Sequence, residues 1–240
     1  MSDKPLMTET GSNKEKEDLK EPLTITSKDQ ITKVVLHQSH VSPPCCKIRA
    51  ILKRYDVPFE IVEGKKPDSD YKKIPVLMVN ERQINDSFIM VKSLAPILDG
   101  QALSPELLEL EELNTFGLMI ALELEIAESG SELRKCSPLV GGCLGSALCL
   151  ISCCVPCFFP ATIRKKNPGL KTVKEYGVKF AEKLKGQEYF HGEKPGIVDA
   201  SVYGVLEPFC KADAICADTF LKCGLEEWHA RMASLVPSIW

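Results

Sequence analysis

Ser42-Pro43-Pro44-Cys45 stands between the apolar run Val34-Val35-Leu36 and the basic, apolar-striped segment Lys47 to Lys53. A strand that leads at once into a helix with C-x-x-C in its first turn makes a dithiol redox site, because the helix N-terminus lowers the pKa of the first thiol. Here the first position holds Ser42. A serine hydroxyl neither attacks a disulfide nor ionises near neutral pH, so the chemistry left to this motif is different. Ser42 also suits a helix N-cap, with Pro43 at the first helical position. Cys45 lies one turn into the helix, where burial would raise its pKa and make it inert. Cys46 points about 100° away from it, so the two adjacent thiols do not replace a C-x-x-C pair. Ser42 and Cys45 are the candidate catalytic residues.

The elements that must hold these residues follow from periodicity. Thr32 to Gln38 is expected as a buried strand, Pro43 to Tyr55 as a helix with Ile48, Ile51 and Leu52 on one face, and Pro58 to Val62 as a second strand. That is one βαβ unit, with a right-handed crossover and parallel strands. Lys73 to Val79 reads as a third strand, Arg82 to Ile84 as a short fourth, and Asp86 to Leu98 as a helix carrying Ile89, Val91, Leu94 and Ile97. Beyond Gly100 strand signals disappear. Ser104-Pro105 opens a helix expected to reach Ile126, followed by helices near Leu139 to Ile151, Gly169 to Lys185, Ile197 to Ala212 and Thr219 to Ser234. The polar stretch 1–30 is expected as a disordered tail, 31–100 as an α/β domain and 101–240 as an all-helical domain.

Composition bounds the function. The 240 residues are 44% apolar, enough for buried cores, and carry a formal charge of −3 without a basic stripe. Nucleic-acid binding is excluded on that footing. The mixed-charge start lacks an apolar signal core and the pattern of an organelle presequence, so a cytoplasmic protein is expected. Eleven cysteines are present, an odd number, with six crowded between Cys136 and Cys157. They are read as free thiols rather than a disulfide framework.

A thioredoxin-like α/β domain followed by an all-α domain resembles the glutathione transferase superfamily. Within it, VVLHQSHVSPPCCKIRAIL, Ile74-Pro75-Val76, Ile84-Asn85-Asp86-Ser87, EKPGIVDASVYGVLE and Trp228 in LEEWHARM together resemble the membrane-associated prostaglandin E synthase type 2 family. The resemblance implies a glutathione-binding protein acting as an isomerase or transferase on a small apolar electrophile or lipid peroxide. It implies a cis peptide before Pro75, whose neighbouring backbone groups at Ile74 and Pro75 pair with glutathione, although an edge-strand proline is the alternative. Asp86 and Ser87 fall on the γ-glutamyl subsite, and helix capping by Asp86 explains the same pair. Ser42 matches a serine whose hydroxyl donates to the glutathione sulfur and favours its thiolate. N-capping remains open beside that role.

Two departures separate the chain from the isomerase pattern: Ser39 stands where the family has a tyrosine, and the connection from Val62 to Ile74 leaves little room for a second helix. Haem accompanies glutathione in the family, with His37 and His40 as the nearest histidines. The competing class is a non-catalytic binding or membrane-adaptor protein that kept the fold after losing its first cysteine.

Ser137 to Ile163 holds no charged residue and is long enough to span a bilayer, though Pro138, Pro156 and Pro160 interrupt it. Core packing and attachment to a membrane surface by S-acylation both fit this segment, 137–163. Cys154-Val155-Pro156-Cys157 is a weak zinc signal. Gly196-Ile197-Val198-Asp199 copies the helix-start box of transferase C-terminal domains, where the acid nucleates the fold. A homodimer is allowed for among the partners.

Overall fold

The computed structural model describes residues 23–140 and 155–240. Strand β1 (Val34–Gln38), helix α1 (Pro43–Arg54) and strand β2 (Glu60–Glu63) form the expected βαβ unit, with β2 parallel to β1. Strands β3 (Val76–Val79) and β4 (Arg82–Asn85) add antiparallel neighbours on the other side, giving the order β2-β1-β3-β4. Val34, Leu36 and Gln38 alternate inward along β1, as the two-residue period of a strand requires. β2 is exposed throughout and bounded by Glu60 and Glu63, charges that discourage pairing with another edge. Between β2 and β3 there is no helix, in keeping with the short connection. Helix α2 (Ser87–Leu98) follows β4 directly.

The rest of the described chain is helical. Helix α3 (Pro105–Leu113) is capped by Ser104, whose side chain accepts from the Leu107 amide at 3.3 Å. A π turn at Asn114–Leu118 joins it to α4 (Met119–Glu128), so the single expected helix is widened at its middle. Helices α5 (Gly130–Val140), α6 (Val155–Lys166), α7 (Val173–Leu184), α8 (Ile197–Lys211), α9 (Ile215–Leu221) and α10 (Glu226–Leu235) complete the order.

The structure departs from the expected elements in three places. The tail does not extend to Gln30: Lys28–Gln30 is a 3-10 turn, and Leu23 and Ile25 pack against the core, because their side chains find apolar partners there. A helix at Gly130–Val140 was not expected, and the helix placed near Leu139 to Ile151 lies almost wholly outside the described residues. Helix α6 was not expected across Pro156. That proline sits in the first turn, where a missing N–H breaks no helical bond.

The helical domain centres on Trp228, Phe180, Phe190 and Phe220, with Phe180 to Phe220 centroids 5.5 Å apart and Phe190 to Trp228 5.1 Å apart. Against this core, α8 lies along α1 and joins the two domains. Gly204 makes the crossing possible. A Cβ there would stand 2.7 Å from both the Ala50 Cβ and the Lys47 Cα, atoms that cannot move without the α1 backbone.

Candidate functional site

Sheet register brings the sequence candidates to one place. His37, Val76 and Asn85 lie abreast in β1, β3 and β4. The loop carrying Ser42 leaves the end of β1, Ile74-Pro75 enters the start of β3, and Asp86-Ser87 leaves the end of β4. Because β3 runs antiparallel to both neighbours, all three connections emerge at the same end of the sheet. The Ile74-Pro75 peptide is cis, and Pro75 is buried.

Ser42 stands at the N-cap position of α1, and its carbonyl accepts from the Cys45 and Cys46 amides at 2.9 Å. Its hydroxyl makes no cap bond. It acts instead on the Cys45 thiol, whose pKa it pulls down. Cys45 is fully buried, and burial pushes its pKa up further than Ser42, the Ser39 backbone and the Arg49 charge pull it down. Burial likewise pushes the Cys46 thiol up to about 12. Neither thiol is an available nucleophile at neutral pH.

Asp86 has φ +63°, a conformation sparsely populated by residues other than glycine. Its carboxylate accepts from the Phe88 amide at 2.9 Å and caps α2. Such backbone costs on the order of 1–3 kcal/mol and concentrates at ligand sites. Ser87, the first residue of α2, is buried beside it. The cap thus holds the first turn of α2, with its orphan amides, at the sheet end.

The loop that presents Ser42 is pinned from below. Arg49 is buried on α1, donates to the His40 carbonyl at 2.6 Å and to Cys46 Sγ at 3.1 Å, and bonds Gln38, which reaches Glu63 at 2.7 Å. Trp240 closes over it, with the guanidinium 5.8 Å from the ring centroid and the His40 ring 5.2 Å away. Two residues earlier Lys47 is buried against Glu111 and Thr115, and Ser201 donates to the same Glu111, a network crossing between domains. These polar side chains were missed in the sequence, because a basic residue on an apolar helix ordinarily faces water.

Beside Ser42 lies a cleft of about 470 Å³. Val41 and Pro43, the residues on either side of Ser42, form one wall; Ile126, Ala127, Leu133, Cys136, Leu139, Phe159, Pro208 and Phe209 form the rest, with Glu123 among them. The cleft is therefore apolar and opens where the α1 N-terminus begins. It is bounded by α4, α5, α6 and α8. Its size suits a small ligand.

The fold is similar to that of solved structures. A possible glutathione S-transferase from Rhodopseudomonas palustris aligns over 87% of this chain and 99% of its own, with 16% identity and TM-score 0.55. A glutathione S-transferase of Ceriporiopsis subvermispora, solved with glutathione, aligns over 85% and 96%, with 15% identity and TM-score 0.54. The chain has the glutathione S-transferase fold. No protein-family profile matches it. Prostaglandin E synthase 2 of Danio rerio is 38% identical over 80 residues, which are 30% of this chain and 21% of that protein. The match therefore spans about a fifth of the curated relative's length.

Among the described residues, haem finds no fitting site. No histidine lines the cleft; His37 sits within the sheet on β1, and His40 is packed on Trp240. Among the described residues no cluster of metal ligands occurs and no helix is long and apolar enough to cross a membrane. Most of the charge-free segment, including Cys143, Cys149, Cys153 and Cys154, lies outside the described residues. Asp199 is a folding element: it accepts from the Gly196, Phe190 and Trp228 N–H groups at 2.9–3.0 Å.

Proposed function

We propose that this chain is a glutathione-binding, transferase-like protein in which Ser42 holds the ligand's sulfur as thiolate. The observation that carries this reading is that the Ser42 hydroxyl does not cap α1, although it sits at the capping position. A neutral Cys45 thiol can donate to the Ser42 oxygen while the Ser42 O–H donates outward, since a hydroxyl has one proton and two lone pairs. The positive end of α1 adds to the stabilisation of a negative sulfur. Lowering the thiol's pKa in this way raises the fraction present as nucleophile near neutral pH.

The remaining subsites follow from the sheet end. Ile74 and Pro75 would meet the cysteinyl part of glutathione, while Asp86, Ser87 and the first amides of α2 would meet its γ-glutamyl group. The apolar cleft would then receive a small apolar electrophile or peroxide beside the sulfur. An isomerase activity like that of prostaglandin E synthase 2 is the finer form of this proposal, supported only by the partial identity to that protein. Ser39 and Ser42 replace the groups that the resemblance would supply.

Calorimetric titration with glutathione tests the reading. Asp86→Asn keeps a side-chain oxygen for the Phe88 amide but removes the charge, so it should weaken glutathione by about 1–3 kcal/mol while leaving stability near wild type. Absence of binding at millimolar ligand would contradict the reading. A second reading, a binding protein without catalysis, is favoured by the burial of Cys45, the one motif cysteine that remains. Binding without turnover of any electrophile would select it.

A further inference from the structure

Glu123 is an exception among the acids of the long α3–α4 run. Glu111 bonds Lys47 and Ser201, Glu125 accepts from the Val173 amide at 3.0 Å, and Glu128 pairs with Arg164. Glu123 has no hydrogen bond or ion pair among the described residues, yet it lines the apolar cleft with Val41, Pro43, Ile126 and Phe209. Glu123 is half-buried, and in a lining that is otherwise apolar it is the charged side chain a bound molecule would meet.

We propose that Glu123 is the polar anchor of this cleft and selects ligands built as an apolar frame carrying one carbonyl oxygen. The proposal deepens the transferase reading, on which the cleft is the second-substrate site. Burial pushes the Glu123 carboxyl up to about 7, with no charged neighbour contributing. Cys136, the other titratable group in the lining, is pushed up to about 11, chiefly by burial, and stays neutral.

The ligand class follows from a lining that is apolar but for one carboxyl, and the raised pKa of that carboxyl supports it. A neutral carboxylic acid offers one O–H donor, whose complement is an uncharged acceptor such as a ketone or aldehyde oxygen. An anionic ligand would be repelled whenever Glu123 ionises. A cationic amine would need an ion pair desolvated within apolar walls, where the desolvation penalty rivals the attraction. The carbonyl satisfies Glu123 at the smallest cost. It would also fix which end of an apolar molecule points toward Glu123 and which toward Ser42.

The experiment uses 2-nonanone and nonylamine, without glutathione, at about pH 6, where Glu123 largely retains its proton. Affinity is measured by calorimetry, and the carbonyl stretch of bound 2-nonanone by infrared difference spectroscopy. Wild type should bind the ketone more tightly than the amine and shift its stretch to lower frequency. Glu123→Leu should bind the ketone about tenfold more weakly, the worth of one buried hydrogen bond, and abolish the shift. Glu123→Gln keeps an N–H donor and should preserve part of the shift. Because Leu removes a half-buried, unpaired carboxyl from apolar surroundings, that variant should melt no lower than wild type, which guards against misfolding as the cause.

Equal or tighter ketone binding by Glu123→Leu, an unshifted stretch in wild type, or preference for the amine would each overturn the proposal. A glutathione titration of the same proteins keeps the two readings apart. Ketone binding with no glutathione binding sinks the transferase reading alone, whereas glutathione binding with no ketone binding sinks this one alone.

Discussion

The Lys47 ammonium lies against the Glu111 carboxylate with both side chains wholly buried, joining α1 of the sheet domain to α3 of the helical domain. Thr115 bridges them, accepting from Lys47 at 2.7 Å and donating to Glu111 at 2.9 Å, and Ser201 donates to the same carboxylate at 2.7 Å. The pair fixes how the Ser42 end of α1 faces the cleft. Such a pair is worth little over apolar packing, but a single buried charge left behind is expensive.

Lys47→Met or Glu111→Gln alone should therefore cost about 3–5 kcal/mol of stability, with the double variant losing clearly less than the sum. Urea unfolding of the four proteins checks this. Additive losses would show that the two groups do not act on each other.

His191 ties the helical domain to the end of α2. Its Nδ1 is 2.9 Å from Asp199 Oδ2, and its Nε2 lies 3.4 Å from Asp99 Oδ2. Burial alone would lower its pKa, but the bonds and charges of Asp199 and Asp99 outweigh that and raise it to about 9 from 6.5. A raised folded-state value means stability that is fully present below about pH 6.5 and is lost as pH rises through about 9. The whole effect is on the order of 3 kcal/mol. Melting temperature should fall across that window in wild type, and His191→Gln should flatten the fall. A wild-type profile as flat as the variant's would contradict a charged His191.

Ser42→Ala should leave stability within a few tenths of a kcal/mol, because the hydroxyl makes no cap bond whose loss would cost about 1 kcal/mol. Ser42→Cys should form a reversible disulfide with Cys45, since it restores the C-x-x-C spacing at the start of α1. Thiol counting after mild oxidation reads the outcome. Two fewer titratable thiols than in the reduced variant are expected, and no change from oxidation would place the side chains apart.

Much of the sheet domain was legible because its signals are local. The apolar run before Ser42-Pro43, the Ile-Pro-Val stretch and the Asp-Ser helix start each specify backbone within a few residues, and β1, α1 and α2 lie within a few residues of their expected bounds. What escaped depends on distant partners. Lys47 and Arg49 read as basic decoration on an apolar helix, and nothing local indicates that Glu111, or Gln38 and Trp240, will meet them. Whether Ser42 caps or faces a ligand was undecidable from spelling, since both roles demand the same residue before Pro43. Glu123 did leave a signal: it falls three and four residues before Ile126 and Ala127, on the apolar face of α4, where a carboxyl is out of place. Pro156 and Pro160 hid α6 because proline is read as a breaker, yet Pro156 falls in a first turn that tolerates it and the helix runs on through Pro160.

The most direct test of the central claim is the pKa of the glutathione thiol when bound, followed by thiolate ultraviolet absorbance against pH in wild type and Ser42→Ala. Wild type should hold the thiol at least about 1 pKa unit below its free value, worth about 1.4 kcal/mol, and Ser42→Ala should return it most of the way while still binding glutathione. Bound glutathione with an unshifted thiol in wild type, or the same shift in both proteins, would contradict a thiolate held by Ser42.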